Sequence, residues 1–181
     1  MAYTILYIAT SVDGFIADKE GNLDWLPQEA PEGQDFGFDD FVKLVDVIAQ
    51  GSRTFLQTLS FINSGIVPDL PYQGKHMYVF TRQPMQTDRT DVTFVSSIEE
   101  YLTRINQDHA IKRVWLLGGA ELIASFKVYD LIDECIITVI PIYLHEGISL
   151  PKNLLDGMQE VESRQLFQGI MERKYIRKKD Y

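Results

Sequence analysis

Apolar and polar positions alternate along the chain in short blocks that predict an α/β fold. Apolar runs rich in β-branched and aromatic residues predict strands over 3–9, 47–49, 77–80, 92–95, 114–117 and 135–140. Apolar residues at helical spacing predict helices over about 38–45, from Gly51, from Ser97, and from Gly119 to about Tyr129. This alternation of strands and helices predicts a largely parallel sheet that is covered on both faces.

Three other segments complete the predicted organisation. Residues 158–167 and 170–177, joined near Gln168-Gly169, predict an antiparallel hairpin. Loops are predicted over 68–74 and over 18–37, and the second of these is polar, contains glycine and proline, and carries Trp25. A loop of that length inside a compact domain is more often functional than idle. No repeat or boundary divides the chain, so a single domain is expected over 1–181.

The junction at Gly118-Gly119 is the clearest functional signal. An apolar run, Val114 to Leu117, ends at the two glycines, and the spacing then becomes helical. Glycine permits a tight turn, and the first amides of the following helix have no intrahelical acceptor, so they can face an anion. A nucleotide phosphate is the usual anion at such a junction, although many strand-to-helix turns use glycine and bind nothing.

Two more predicted strand ends carry groups suited to anions. Gly51-Ser52-Arg53-Thr54 offers amides, hydroxyls and a cation at a helix start, and Thr81-Arg82 ends a neighbouring strand. Ligands of open α/β sheets collect at the carboxyl ends of strands, so these ends could hold one dinucleotide. The alternative is a capped helix with solvated arginines. The motif G-x-G-x-x-G with its ribose-binding acid is absent, and a cation without that acid favours NADPH.

Composition excludes several other classes of protein. The chain has 181 residues and a net charge of −9, which disfavours nucleic acid and anionic membranes as partners. Apolar runs are too short for a membrane span and no basic leader is visible, so a cytoplasmic protein is expected. The three histidines are too scattered to predict a metal site, and Cys135 is expected to be a buried, inert thiol.

Five blocks of the chain occur in a familiar order: Ile8 to Ala17, Asn22 to Leu26, Gly51 to Phe55, Val79 to Pro84 and Leu117 to Ala120. Together they resemble the dihydrofolate reductase superfamily. The resemblance is strongest to the reductase domain of bifunctional riboflavin-biosynthesis proteins and its stand-alone bacterial relatives, and it covers nearly the whole chain. It implies a three-layer αβα fold with a mostly parallel sheet of about eight strands and a C-terminal antiparallel hairpin.

The resemblance also implies NADPH as cofactor and a set of contact residues. Residues near the first strand would lie along the nicotinamide and carry a mobile loop, and those at the other strand ends would hold the phosphates and the adenosine side. The implied cofactor-binding residues are Ala9, Asp13, Gly14, Phe15, Ile16, Ala17, Gly51, Ser52, Arg53, Thr54, Phe80, Thr81, Arg82, Leu117, Gly118, Gly119, Ala120, Glu121 and Leu122.

On the substrate side, the resemblance implies roles for Trp25, which would close the pocket, and for Thr138, which would order a substrate-binding acid. The acid itself is ambiguous, because Asp35, Asp39 and Asp40 all follow the tryptophan. Helical geometry favours Asp39, about 100° from the core-facing Phe38. The alternative is that these carboxylates are simply the acids that a helix N-terminus favours.

The function that the resemblance implies is hydride transfer from NADPH to a pyrimidine or pteridine-like ring, most specifically reduction of 5-amino-6-(5-phosphoribosylamino)uracil. Dihydrofolate reduction is the alternative substrate assignment. A non-catalytic nucleotide-binding protein is the alternative of a different class. A homodimer or a scaffold could use the apolar run from Cys135 to Ile142, which the sequence does not distinguish from ordinary core.

Overall fold

A twisted eight-stranded sheet forms the centre of the molecule in a computed structural model that describes residues 1–27, 35–65, 72 and 74–178. Its strands are β1 (Tyr3–Ser11), β3 (Val47–Gly51), β4 (His76–Phe80), β5 (Val92–Val95), β6 (Arg113–Gly118), β7 (Glu134–Ile140), β9 (Met158–Gln165) and β10 (Met171–Arg177). The spatial order is β5-β4-β3-β6-β1-β7-β10-β9. The pairs from β5 through β7 are parallel, and β10 is antiparallel to both β7 and β9.

Helices cover both faces of this sheet, as the alternating pattern predicted. The helices are α1 (Phe38–Leu44), α2 (Ser52–Asn63), α3 (Ile98–Gln107) and α4 (Ala120–Val128). Buried side chains of α1 and α2 pack on one face with Ile5, Ile48 and Trp115 of the sheet. Those of α3 and α4 pack on the other face with Leu6, Val114 and Leu116. Neighbouring residues of one strand thus belong to different cores, which is the period-2 alternation of a buried strand.

The predicted strands, helices and hairpin are confirmed, with small changes at their ends. Strand β1 runs two residues beyond the predicted Ala9, and the hairpin strands end at Gln165 and begin again at Met171. Ser97 caps α3 as expected, since its side chain accepts from the Glu100 amide. Positions 28–34 of the predicted 18–37 loop, and 68–71 and 73 of the predicted 68–74 loop, lie outside the described residues.

A small second sheet was not predicted. Strand β2 (Phe15–Ala17) pairs antiparallel with β8 (Ile148–Ser149). The close approach requires glycine at 147, because a β-carbon there would overlap the carbonyl oxygen of Ala17. The segment expected to form a mobile loop over the cofactor therefore has a backbone partner far away in the sequence.

The apolar run that could have served a dimer is part of the core. Strand β7 has β1 on one edge and β10 on the other, and Cys135, Ile137 and Ile140 are buried. Beyond the strand, Ile142 and Tyr143 are exposed. Within the described residues, no helix combines the length and apolarity that crossing a bilayer would need.

Candidate functional site

Three of the predicted strand ends meet at one edge of the sheet. Strands β3, β4 and β6 are neighbours and parallel, so their carboxyl ends share that edge. Helix α2 starts directly after β3, and helix α4 starts after Gly119 at the end of β6. The structure therefore brings together the strand ends that the sequence analysis selected for their anion-binding groups. The predicted Phe80 is the last residue of β4, and Thr81 and Arg82 follow it.

Both helices begin without a side-chain cap. Gly51 is the N-cap of α2 and Gly119 is the N-cap of α4, and neither terminus has a side-chain capping hydrogen bond. The first amides of a helix lack intrahelical acceptors, and the macrodipole adds partial positive charge there. These two termini therefore present amide donors that an anion can use.

The two glycines at the end of β6 allow the two termini to approach each other. Gly118 has φ +134° and Gly119 has φ +35°, conformations that other residues rarely adopt. A β-carbon on Gly119 would lie 3.4 Å from the hydroxyl oxygen of Thr54 in the first turn of α2. The junction thus places the start of α4 against the start of α2.

Two arginines add charge to this edge. Arg53 Nη1 lies 3.5 Å from Glu121 Oε1, and Arg82 Nη2 lies 3.4 Å from Glu121 Oε2. All three side chains are largely exposed, so each contact is weak in water. The contacts matter because of where they lie: they bring two guanidinium groups from different elements to one carboxylate beside the helix starts.

The remaining predicted cofactor residues lie around the end of β1. Ala9 is half-buried near the end of that strand, and the Ile8 side chain lies 3.7 Å from where a Gly118 β-carbon would be. The stretch from Gly14 to Ala17 continues past the turn into β2. Among the other predicted residues, Ser52 starts α2, Leu117 and Gly118 end β6, and Ala120 and Leu122 lie in the first turn of α4.

Asp13 makes loop contacts that the sequence did not predict. Its carboxylate accepts hydrogen bonds from the Ser11 hydroxyl at 2.6 Å, the His145 amide at 2.8 Å and the Leu144 amide at 3.2 Å. The Ser11 bond and then these amides lower the pKa of Asp13 from 3.8 to about 2. Asp13 therefore ties the turn after β1 to the loop that follows β7.

Of the predicted substrate-side residues, Thr138 lies on the face of the sheet that α1 covers. Thr138 of β7 is the register partner of Ala9, and Phe38 of α1 packs near Tyr7 with ring centroids 6.2 Å apart. Trp25 is half-buried, and its indole nitrogen has no hydrogen-bond partner among the described residues. The loop that carries Trp25 is fixed to α2 by a hydrogen bond from Gln57 to the Gly21 carbonyl, at 2.9 Å.

The three candidate acids differ in what they contact. Asp35 accepts from the amides of Asp39 and Gly37, which lowers its pKa. Asp40 pairs with Lys43 at 3.0 Å. All three carboxylates are exposed, and Asp39 stands in the first turn of α1. Asp35 thus behaves as the helix-start acid that the sequence analysis offered as its alternative, and the role predicted for Asp39 stays a prediction.

Sequence reasoning missed one buried polar group near Thr138. Glu172 of β10 is the register partner of Thr138 and is only 8% exposed. It accepts a hydrogen bond from the Tyr7 hydroxyl at 3.1 Å and pairs with Arg164 at 2.7 Å. Burial, and then the charge of Glu172, raise the pKa of Tyr7 to about 12. A carboxylate at an inward position of the hairpin was the available signal, but the register against β7 was needed to interpret it.

Comparison with known proteins identifies the family of this chain. The RibD C-terminal domain family matches residues 2–171. The chain belongs to the RibD C-terminal domain family. Among Bacillus subtilis (strain 168) proteins, this RibD-type chain is 40% identical to the uncharacterized protein YwjB over 148 residues, 81% of each protein. It is 32% identical to the uncharacterized protein YyaP over 149 residues, 79% of this chain and 77% of that protein.

Solved structures show the same fold. A Shewanella sp. PV-4 protein provisionally assigned to riboflavin biosynthesis superposes with a TM-score of 0.83 and 31% identity, over 99% of this chain and 100% of that one. A Thermotoga maritima diaminohydroxyphosphoribosylaminopyrimidine deaminase/5-amino-6-(5-phosphoribosylamino)uracil reductase superposes with a TM-score of 0.71 and 14% identity. The RibD-type chain spans 56% of the Thermotoga protein, and this likeness shows the fold alone. The resemblance to the dihydrofolate reductase-like superfamily is confirmed.

Proposed function

We propose that this RibD-type protein is an NADPH-dependent reductase of a pyrimidine intermediate of the kind found in riboflavin biosynthesis. The observation that carries the proposal is the group at the ends of β3, β4 and β6. There, two uncapped helix starts lie beside Arg53 and Arg82. A dinucleotide with two backbone phosphates and a ribose phosphate supplies the anions that such a site requires. Membership of the RibD family supports the same chemistry.

Different residues of the site would bind different parts of the cofactor. The amides at the starts of α2 and α4 would bind the pyrophosphate, and Arg82 would bind the ribose 2′-phosphate. Glu121 pairs weakly with both arginines, and a bound phosphate would compete with it for them. When bound, NADPH supplies the hydride.

The acceptor ring would lie beside Ala9 and Thr138, on the side of the sheet that α1 covers. We call this part of the site the acceptor half, and the part at the ends of β3, β4 and β6 the cofactor half. Trp25, on a loop that a hydrogen bond attaches to α2, would close the acceptor half and exclude water. The protein's contribution is then to hold the ring against the nicotinamide position, since orientation accounts for a large share of such rate gains. The cofactor half and the acceptor half would meet at the end of β1.

The assay is oxidation of NADPH with two acceptors tested separately, the phosphoribosylamino-uracil and dihydrofolate. We expect turnover with the pyrimidine acceptor and tight NADPH binding by calorimetry. Absence of NADPH binding would overturn the proposal, and turnover of dihydrofolate alone would reassign the substrate. Binding without turnover on either acceptor would make the protein a non-catalytic nucleotide binder.

The proposal also includes a cytoplasmic setting, with a small heterocyclic substrate and no nucleic-acid or membrane partner. The net charge of −9 supports the last part of this proposal, because nucleic acids and anionic membranes are repelled by a negatively charged surface. A homodimer is part of the proposal as well. Sedimentation at several protein concentrations tests it, and a single monomeric species at all concentrations would remove it.

A further inference from the structure

Two similar polar clusters lie on the same face of the sheet. In the Tyr7 triad (Tyr7, Glu172, Arg164), the tyrosine donates to Glu172 at 3.1 Å and the arginine pairs with it at 2.7 Å. In the Tyr3 triad (Tyr3, Glu134, Lys174), the corresponding distances are 3.0 Å and 2.7 Å. Both glutamate side chains are 10% exposed. The two triads therefore have similar chemistry and burial.

Their positions along the strands differ. Tyr3 begins β1, while Tyr7 lies four residues further on, about 13 Å at about 3.3 Å per residue. Glu134 begins β7, whereas Glu172 is the register partner of Thr138 near the end of β7. Only the Tyr7 triad is therefore at the end of the sheet where the acceptor half is proposed.

The Tyr7 triad lies directly beside the residues of that half. Thr138 is the register partner of Glu172, so these two side chains are neighbours on one face of the sheet. Thr138 also opposes the effect of Glu172 on the pKa of Tyr7. The Tyr7 ring packs edge-on against Phe41 of α1, with centroids 4.7 Å apart. The hydroxyls of Tyr7 and Thr138 thus lie beside the same Glu172 carboxylate.

Arg164 extends the network to the segment before α1. Its Nη2 donates to the Phe36 carbonyl at 3.1 Å and lies 3.8 Å from where a Gly37 β-carbon would be. Phe36 stacks on Phe167 of the same hairpin, with centroids 6.4 Å apart. Phe36 has φ +54°, a conformation that residues other than glycine rarely adopt, so external contacts help this turn to hold its shape. The hairpin supplies those contacts next to the three candidate acids.

Stability alone gives a weak reason for the arrangement. The Glu172 side chain is buried but that of Arg164 is half exposed, and an ion pair that buries charge is often no more stabilising than apolar residues of similar volume. A buried carboxylate that orients two hydroxyls and fixes a strained turn has a use that an apolar pair lacks. We propose that Glu172 is a positioning residue for the acceptor half of the site: it orients the Tyr7 and Thr138 hydroxyls and, through Arg164, fixes the turn that begins α1. This proposal rests on the proposed reductase function.

The test compares Glu172→Gln with Glu134→Gln. Each change keeps side-chain shape and removes one buried charge from a Tyr–Glu–cation triad. We expect both variants to lower Tm by similar amounts. Glu172→Gln should lower kcat/KM for the pyrimidine acceptor about tenfold, the loss of roughly one good hydrogen bond, and should leave the Kd for NADPH unchanged. Glu134→Gln should keep the parent kcat/KM.

Two more variants complete the series. Tyr7→Phe should reproduce the kinetic loss of Glu172→Gln without leaving a charge unpaired. Arg164→Lys, which keeps the charge but loses the planar fork, should speed hydrogen exchange at the Gly37 and Asp39 amides. Equal kcat/KM in the Glu172, Glu134 and parent proteins would overturn the positioning role. If the parent protein does not bind NADPH, the proposed reductase function fails, but the hydrogen-exchange measurement still tests this inference. Unchanged exchange at the Gly37 and Asp39 amides in both Glu172→Gln and Arg164→Lys would then overturn it.

Discussion

Arg82 offers the sharpest test of the cofactor half. Replacing it by glutamine removes the cation that we assign to the ribose 2′-phosphate, and leaves a shorter, uncharged polar side chain. Arg53 provides the comparison, because it lies in the first turn of α2, beside the amides proposed to bind the pyrophosphate. Both side chains are more than four-fifths exposed, at 84% and 89%. Neither replacement should therefore disturb folding.

The expected magnitude follows from this exposure. The weak contact of Arg82 with Glu121, at 3.4 Å, contributes about 0–1 kcal/mol to the folded state. A hydrogen bond to a charged phosphate contributes about 1.5–3 kcal/mol, and water around an exposed arginine favours the lower end. A loss of about 1.5 kcal/mol corresponds to roughly a tenfold rise in the Kd for NADPH.

The assay is calorimetry with NADPH and NADH. Arg82→Gln should weaken NADPH about tenfold and leave NADH nearly unchanged, because only NADPH carries the 2′-phosphate. Arg53→Gln should weaken both cofactors alike, because both contain the pyrophosphate. Arg113→Gln, an exposed change at the opposite edge of the sheet, should affect neither.

Glu121→Gln should change the affinity for NADPH in the opposite direction. The carboxylate lies beside both arginines and would compete with phosphate for them, so its removal should tighten NADPH binding by up to about fivefold, the equivalent of about 1 kcal/mol. Equal losses for NADPH and NADH in Arg82→Gln would refute the 2′-phosphate assignment. Parent affinities in both arginine variants would refute the placement of the cofactor at this edge.

Three further predictions concern stability and titration. Phe41→Ala should cost about 3–5 kcal/mol in a denaturant titration, since the ring is 7% exposed. Leu44→Ala, at an exposed site of the same helix, should stay within about 0.5 kcal/mol. Burial raises the pKa of Cys135 to about 12. A thiol reagent at neutral pH should therefore label Cys135 only after unfolding, and rapid labelling of the native protein would contradict its burial. The pKa of Asp13 is lowered from 3.8 to about 2, so its loop contacts should persist above pH 3.8 and be lost as the pH falls through about 2. A titration midpoint near 3.8 for the Asp13 carboxyl, followed by NMR, would contradict this.

The sequence predicted the parts of the fold that depend on local patterns. Apolar runs located the strands of the main sheet, and Gly118-Gly119 located the start of α4, because glycine and periodicity act over a few residues. The β2–β8 pair could not be predicted this way, since its strands are far apart in the chain and only three and two residues long. Glu172 was missed for a related reason: the register of β10 against β7 decides which hairpin residues face inward.

The candidate acids can be partly separated on physical grounds. A residue that protonates a substrate near neutral pH needs a carboxyl whose pKa is raised toward that pH. Amide hydrogen bonds from Asp39 and Gly37 lower the pKa of Asp35 instead, so Asp35 stays ionised and stabilises the start of α1. Glu172 is committed to Tyr7 and Arg164. Asp40 is paired with Lys43 at 3.0 Å. By contacts alone, Asp39 is therefore the candidate whose replacement by asparagine distinguishes direct proton transfer from a site in which the protein only orients the acceptor.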